Sequence, residues 1–134
     1  MTSGSYFSAP TGERTERGSF AQVDDLPAFD VIEGLTLRPL LGQNVMLNFA
    51  RYEPGAEAPR HAHVEEQLFV VLEGEFEVDL DGDLRTLRPG GVAVMPSWLP
   101  HRVRAGTAPA FQLDVFSPPR QGLLELLAAP NQGS

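Results

Sequence analysis

Residues 55–101 read GAEAPRHAHVEEQLFVVLEGEFEVDLDGDLRTLRPGGVAVMPSWLPH, and the fold is decided inside them. Apolar side chains recur every second residue over Gln67–Glu73, Glu75–Leu80, Leu84–Leu87 and Val92–Met95. That period belongs to half-buried strands, not helices. Asp81-Gly82 stands between two of these runs, and a two-residue hairpin of type I′ needs residues that accept positive φ at both central positions. Working outward, the alternation continues in Leu35–Leu41, Val45–Glu53, Pro59–His63, His101–Ala105 and Ala110–Phe116. Turn residues break the runs at Gly42–Asn44, Pro54-Gly55, Gly74, Pro89-Gly90-Gly91, Pro96–Pro100 and Gly106-Thr107. Many short, evenly spaced strands predict an all-β sandwich or small barrel, with the jelly roll among the options. Leu123–Ala129 is the only helix-like stretch, entered after Gly122 and stopped by Pro130. It is expected to cap the barrel or to lie at a subunit contact.

A chain of 134 residues has the size of one domain. Residues 1–25 are polar and aperiodic and are expected to be a flexible or arm-like segment, which leaves 26–134 as the domain proper. Eighteen acidic side chains against ten basic ones, every one of the latter Arg, give a net charge of −8. Such an excess repels phosphate backbones and anionic bilayers, so neither nucleic acid nor membrane is an expected partner. With no Cys, disulfides, thiolate metal sites and a Cys nucleophile are excluded. No apolar run approaches the roughly 20 residues that span a bilayer, and the N-terminus lacks a charged-then-apolar pattern; the expected location is the cytoplasm.

The chemistry concentrates in three histidines, His61, His63 and His101, the only ones in the chain. Residues two apart on a strand project from one face, so His61 and His63 converge; Gln67 has the same parity and offers a carboxamide oxygen. His101 opens a later strand from which it can complete the set. Imidazole suits zinc, copper, iron and nickel, and carbonyl oxygen suits harder ions such as manganese. With the histidines committed, no Ser-His-Asp arrangement is available, and no Gly-rich phosphate loop precedes a helix.

The surrounding pattern is more specific. Gly55, five residues, His61-Ala-His63, three residues, Gln67, six residues and Gly74 resemble the first motif of the cupins, and Gly90-GVAVM-Pro96-S-Trp98-LP-His101 resembles the second. The resemblance spans residues 35–117. It implies a cupin-type jelly-roll β-barrel, or double-stranded β-helix, with a short C-terminal helical segment. It further implies one divalent metal ion per chain, held by His61, His63 and His101 with Gln67 at the position where the family carries Glu. The neutral Gln leaves the metal's charge uncompensated, which suits Lewis-acid chemistry without excluding iron and dioxygen. Trp98 and Ala105 replace the Gly and Asn of the second motif, and Trp98 is expected to wall the pocket, its ring stacking on substrate. By resemblance, a homodimer is also expected, through exposed sheet edges or an exchanged N-terminal segment.

A second constellation is Asp114-V-Phe116-SPP-Arg120. Asp114 and Phe116 share a strand face, and Arg120 follows two stiffening prolines; an Asp beside a metal can move protons, and an Arg can pair bidentately with a carboxylate. Together with HAHVEEQ, this segment resembles the small cupins of pectin and alginate breakdown that linearise 4,5-unsaturated uronates. That resemblance implies a small-molecule isomerase in carbohydrate metabolism, in which Asp114 shuttles a proton, Arg120 binds the substrate carboxylate and Phe116 shapes the pocket. Arg51, Arg60, Arg102, Arg104 and Arg120 would then supply a positive mouth, with Arg60 beside the pocket. Other small cupins include polyketide cyclases, sulfoniopropionate lyases and metal-dependent dioxygenases. An apolar wall built from Val45, Leu47 and Phe49, or from Phe69 and Val71, would favour those, and parity alone leaves open which face is inside. A non-catalytic ligand-binding cupin is the remaining alternative.

Overall fold

The computed structural model describes residues 6–7 and 12–129. Ten strands form, β1 Phe29–Ile32, β2 Leu35–Leu41, β3 Met46–Tyr52, β4 Glu57–His61, β5 Glu66–Glu73, β6 Phe76–Leu80, β7 Asp83–Leu87, β8 Val92–Met95, β9 His101–Ala105 and β10 Ala110–Ser117, followed by helix α1, Gln121–Ala128. They make a six-stranded antiparallel sheet ordered β1-β2-β3-β10-β5-β8 and a four-stranded one ordered β4-β9-β6-β7. The two close face to face as a jelly-roll barrel. The expected all-β architecture with a C-terminal helix is what forms.

Alternation decides what the barrel holds. On β3 the inward residues are Met46, Asn48, Ala50 and Tyr52, all buried, while Leu47 and Phe49 face outward. On β10 the buried set is Ala110, Gln112, Asp114 and Phe116, and on β5 it is Gln67, Phe69 and Val71. The wall suggested from Val45, Leu47 and Phe49 is therefore on the wrong face, whereas Phe69 and Val71 do point in. Phe69, Val71, Phe76, Val78, Met95 and Val103 fill one end of the barrel as an apolar core. The other end collects the buried polar residues Asn48, His63, Gln67, His101, Gln112 and Asp114. Apolar burial at the first end supplies the stability that polar burial at the second costs.

Two turns explain residues of the motif. Asp81 and Gly82 have φ of 48° and 99°, with Leu80 paired to Asp83, the hairpin the dipeptide predicts. Gly74 has φ 72°, and a Cβ there would meet the Pro109 carbonyl oxygen at 2.5 Å; only glycine lets β5 turn into β6 beneath the start of β10.

The strand boundaries differ where tertiary contacts override local pattern. β1 lies outside the expected strands: Phe29–Ile32 pairs with β2 across the Glu33-Gly34 turn. β4 occupies Glu57–His61, not Pro59–His63, because its pairing with β9 ends at His61↔His101. The helix begins two residues before the expected Leu123, at Gln121. Of the N-terminal segment, Val23–Asp25 forms a short 3-10 turn whose Val23 and Asp24 carbonyls accept hydrogen bonds from Arg38. The remainder of the flexible or arm-like expectation falls partly outside the described residues, at 1–5 and 8–11.

Candidate metal centre

His61 ends β4, His101 opens β9, and the two are directly paired across the smaller sheet. His63 leaves the strand, yet its carbonyl accepts the Trp98 N–H at 2.7 Å. This bond fastens the histidine loop to the Pro96–Pro100 turn. Its geometry requires Trp98 at φ 65°, a left-handed conformation that is uncommon for any residue but glycine, so the Trp stands where the second motif has Gly for a backbone reason. The outcome is one cluster: His61, His63 and His101 each offer a ring nitrogen within 4.8 Å of the others.

Each histidine sets its Nδ1 against a main-chain carbonyl. His61 Nδ1 lies 2.7 Å from the Pro59 carbonyl oxygen, His63 Nδ1 2.9 Å from that of Glu65 and His101 Nδ1 2.8 Å from that of Leu99. A carbonyl only accepts, so at His61 and His101 Nδ1 carries the proton and Nε2 keeps its lone pair, while His63 has an oxygen beside each ring nitrogen. Burial holds His101 down at about 4 and also lowers His63, which keeps these two imidazoles neutral. His101 Nε2 is buried with no hydrogen-bond partner among the described residues. Gln67 turns its Oε1 to within 3.1 Å of His63 Nε2. Converging imidazole lone pairs, one of them orphaned, plus an adjacent carbonyl oxygen make a donor set that fits a divalent metal ion. Carbonyl-anchored Nδ1–H groups are the outer contacts that usually orient metal-binding histidines.

Behind Gln67 lies a buried amide cluster outside the motif pattern. Asp114, 3% exposed, accepts from Gln67 Nε2 at 2.8 Å, from Gln112 Nε2 at 2.9 Å and from Asn48 Nδ2 at 3.2 Å. The Gln67 amide is thereby oriented, nitrogen toward Asp114 and oxygen toward the histidines. Burial raises the Asp114 carboxyl to about 6, opposed by those three amides. Asn48 and Gln112 were readable in principle, as lone polar residues on the inward parity of apolar strands.

Above these groups opens a cavity of about 270 Å³, lined at its polar end by the three histidines, Gln67, Asp114 and Arg120, and elsewhere by Leu35, Leu37, Val103, Phe116, Leu123 and Leu126. Phe116 packs edge-on to His63 with ring centroids 5.7 Å apart. The positive mouth reduces to Arg120. Arg60 pairs with Asp81 at 2.9 Å on the exposed surface, Arg102 with Glu57 at 2.7 Å, and Arg51 lies over Phe111 on the outer sheet face. Nor does Trp98 line the cavity; its side chain is 63% exposed, because the left-handed backbone that serves the turn swings the ring outward. Neither Arg60 nor Trp98 takes the pocket position expected of it.

Glu65 is a residue the motif gives no reason to single out. It is buried, and its Oε2 accepts the Gln121 N–H at the start of α1 at 2.8 Å. Oε1 stands 3.7 Å from Arg120. Burial alone would raise this carboxyl, but the Gln121 amide, its own backbone amide, Arg120 and His63 together hold it below the ordinary range. Arg120 supplies no side-chain cap to α1, so a carboxylate 56 residues away caps the helix instead. Glu65→Ala is expected to lower unfolding free energy by about 1–3 kcal/mol through the uncapped N–H and the stranded Arg120. Glu65→Gln, which keeps an acceptor, should cost less than half of that; chemical denaturation of both variants measures the difference.

Comparisons with known proteins agree with this geometry. A family model described as "Cupin domain" matches residues 48–116. Among solved structures, KdgF from Halomonas sp. is 29% identical with a TM-score of 0.75, over 80% of this chain and 99% of that one. An RmlC-like cupin from Shewanella frigidimarina is also 29% identical, with a TM-score of 0.74, over 80% of this chain and 96% of that one. TT1209 from Thermus thermophilus is 25% identical with a TM-score of 0.66, over 75% of this chain and 98% of that one. No curated protein matches the chain. Among the described residues, no helix is long and apolar enough to cross a membrane.

Proposed function

The chain belongs to the cupin domain family, and from that premise we propose that it is a metal-dependent cytoplasmic enzyme that opens and isomerises 4,5-unsaturated uronates. One observation carries the reading: a neutral donor set, His61, His63, His101 and Gln67, faces the same small cavity as a buried carboxyl, Asp114, and a guanidinium, Arg120. A divalent ion bound there would polarise a substrate oxygen and lower the pKa of a bound hydroxyl. Everything else falls to the protein's own groups.

Arg120 has no side-chain hydrogen bond among the described residues, so its N–H fork is free to take the uronate carboxylate bidentately. Glu65 holds it from below. Opening the cyclic hemiacetal moves the anomeric hydroxyl proton to the ring oxygen, and the enol then moves its own proton to carbon. No atom is gained or lost. A carboxyl that accepts a proton from oxygen and returns it to carbon is what both steps require, and Asp114, raised to about 6 by burial, exchanges a proton readily near neutral pH. Phe116 closes the wall beside His63 and excludes water. A cavity of about 270 Å³ suits one sugar ring rather than a polymer, and the resemblance of HAHVEEQ and DVFSPPR to the uronate-linearising cupins points the same way.

The test follows the conjugated absorbance of an unsaturated monouronate. Metal-loaded protein is expected to remove it with formation of a keto acid, and Arg120→Ala should reduce kcat/KM by at least a hundredfold, the range for losing a charge-paired substrate contact. A second reading has its own observation, the apolar lining from Leu35, Leu37, Val103, Leu123 and Leu126. These walls favour a polyketide cyclase or a dioxygenase acting on an apolar ring. Unchanged absorbance, with turnover of such a ring unaffected by Arg120→Ala, would replace the uronate reading. Unchanged ligand affinity in His61→Ala, with no turnover at all, would leave a binding protein.

A further inference from the structure

We propose that Tyr52 is a further specificity-determining residue of the site: its hydroxyl donates a hydrogen bond to the ring hydroxyl that lies across the substrate from the carboxylate held by Arg120. The inference rests on the uronate reading and names a contact which that reading lacks. Tyr52 ends β3 on the inward face, in line with Met46, Asn48 and Ala50. It is paired with Leu35 of β2 on one side and Ala110 of β10 on the other. Side chains on one strand face are about 6.7 Å apart along the strand. Ala50, the next inward residue, is too small to fill that step, which leaves room for a phenol ring to lean toward the polar end. Phe76 anchors the ring edge-on, with centroids 5.0 Å apart.

The residue is 4% exposed, yet it lines the cavity that holds the histidines. Its hydroxyl has no hydrogen-bond partner among the described residues, and its oxygen is not one of the unpartnered atoms that the protein encloses completely. It therefore opens on free volume. The other neutral polar groups of this wall are already committed. Asn48 and Gln112 give their amide nitrogens to Asp114, and their oxygens are enclosed. Gln67 spans His63 and Asp114. Beyond the metal set and Arg120, Tyr52 thus carries the one uncommitted hydrogen-bonding group on the cavity among the described residues. Burial and the nearby Asp114 carboxylate both push this phenol above its ordinary value, so it remains a donor. A buried hydroxyl left unpaired is costly, and a ligand oxygen that meets it removes that cost.

Position selects which oxygen. Tyr52 stands opposite Ala110, where β10 begins, whereas Arg120 follows the far end of that strand. The two side chains line one small cavity and reach it from opposite ends. In a six-membered uronate ring, the atom across from the carboxylate-bearing C5 is C2. With the carboxylate on Arg120, the C2 hydroxyl is turned toward Tyr52. The ring oxygen and the anomeric carbon lie on the edge between C5 and C2, so this pose leaves them free to face the histidines and Asp114. An apolar ring offers no such oxygen and would strand the phenol. A site built to hydrogen-bond a hydroxyl rejects an analogue lacking it far more strongly than an apolar pocket rejects one that has it. Tyr52 therefore selects for the sugar against the apolar ring that Leu35, Leu37 and Val103 would otherwise admit.

Steady-state kinetics of the metal-loaded wild type and Tyr52→Phe, on a 4,5-unsaturated monouronate and on its 2-deoxy analogue, test this. The substitution removes one oxygen and keeps the ring against Phe76. It is expected to raise KM for the hydroxylated substrate by roughly tenfold, the range for one neutral hydrogen bond, with kcat little changed. On the 2-deoxy analogue the two proteins should behave alike. Thermal unfolding of the variant should match or slightly exceed wild type, because no group of the protein loses a partner. An unchanged KM on the hydroxylated substrate overturns the role. So does a loss shared by both substrates with a lowered unfolding temperature, which would mark Tyr52 as a packing residue. Both of those results leave the uronate reading standing, whereas no turnover of the hydroxylated substrate by wild type overturns that reading and the Tyr52 role with it.

Discussion

His101→Ala is expected to leave a folded barrel with less than a tenth of the metal that the wild-type chain retains, and with no measurable turnover. The reasoning starts from one atom. His101 Nε2 is buried and has no partner among the described residues, an arrangement that costs on the order of 1–3 kcal/mol in a protein that never fills it. Its Nδ1 is committed to the Leu99 carbonyl, so the ring cannot relieve the orphan by flipping. The same burial that holds the imidazole down at about 4 keeps it unprotonated. Two histidines and a carboxamide make a much weaker site than three and a carboxamide. Elemental analysis of protein purified without added metal, wild type beside variant, reads the result. Near-stoichiometric zinc, nickel or manganese, lost in the variant, supports Lewis-acid chemistry; iron would put oxygen uptake first among the assays. Metal retained by His101→Ala, or absent from wild type even after reconstitution, would sink the metal-centre reading. The variant should remain folded, because the apolar end around Phe69 and Phe76 does not depend on the ring.

What the sequence reveals about this protein follows from which signals are local. The histidine triad was legible because its spacing is local at each end, His61 to His63 across two residues and Pro96 to His101 across one turn. The turn at Asp81-Gly82 was legible for the same reason. Inward and outward faces were not, since the large sheet is apolar on both sides: Leu47 and Phe49 outside alternate with Met46 and Ala50 inside. Arg51, the one exposed residue of that strand and of the same parity as Leu47 and Phe49, was the residue able to break the tie. Glu65 was illegible because its partners, Arg120 and Gln121, lie more than fifty residues on. Arg60 looked like a pocket residue because it precedes His61, but alternation turns it out to Asp81.

Asp114→Asn separates two roles that the structure gives this residue at once. As an acceptor it orients Gln67; as a carboxyl it can carry a proton. The substitution keeps the shape and one acceptor oxygen, which Gln67 Nε2 can still reach. The new Nδ2 would face the amide nitrogens of Gln112 and Asn48, but both of those residues have an unpartnered buried oxygen and can turn it inward. The variant should therefore fold, keep its metal and keep its substrate affinity. If Asp114 moves the proton, kcat falls by about 10²–10⁴ with KM little changed. If it only orients Gln67, kcat stays within a few-fold of wild type. Metal-free protein gives an independent check on the charge. A buried carboxyl at about 6, against an ordinary 3.8 in the unfolded chain, leaves the folded state holding the extra proton between those values, so this group's contribution to stability falls as pH rises from 4 to 6. His101, lowered to about 4, acts in the opposite sense over pH 4 to 6.5, since the folded state is then the one that binds fewer protons. In wild type the two oppose each other. In Asp114→Asn only the histidine side remains, and stability should climb more steeply from pH 4 to 6.5. An unchanged slope would mean that Asp114 is not the buried, proton-holding group the proposed reaction needs.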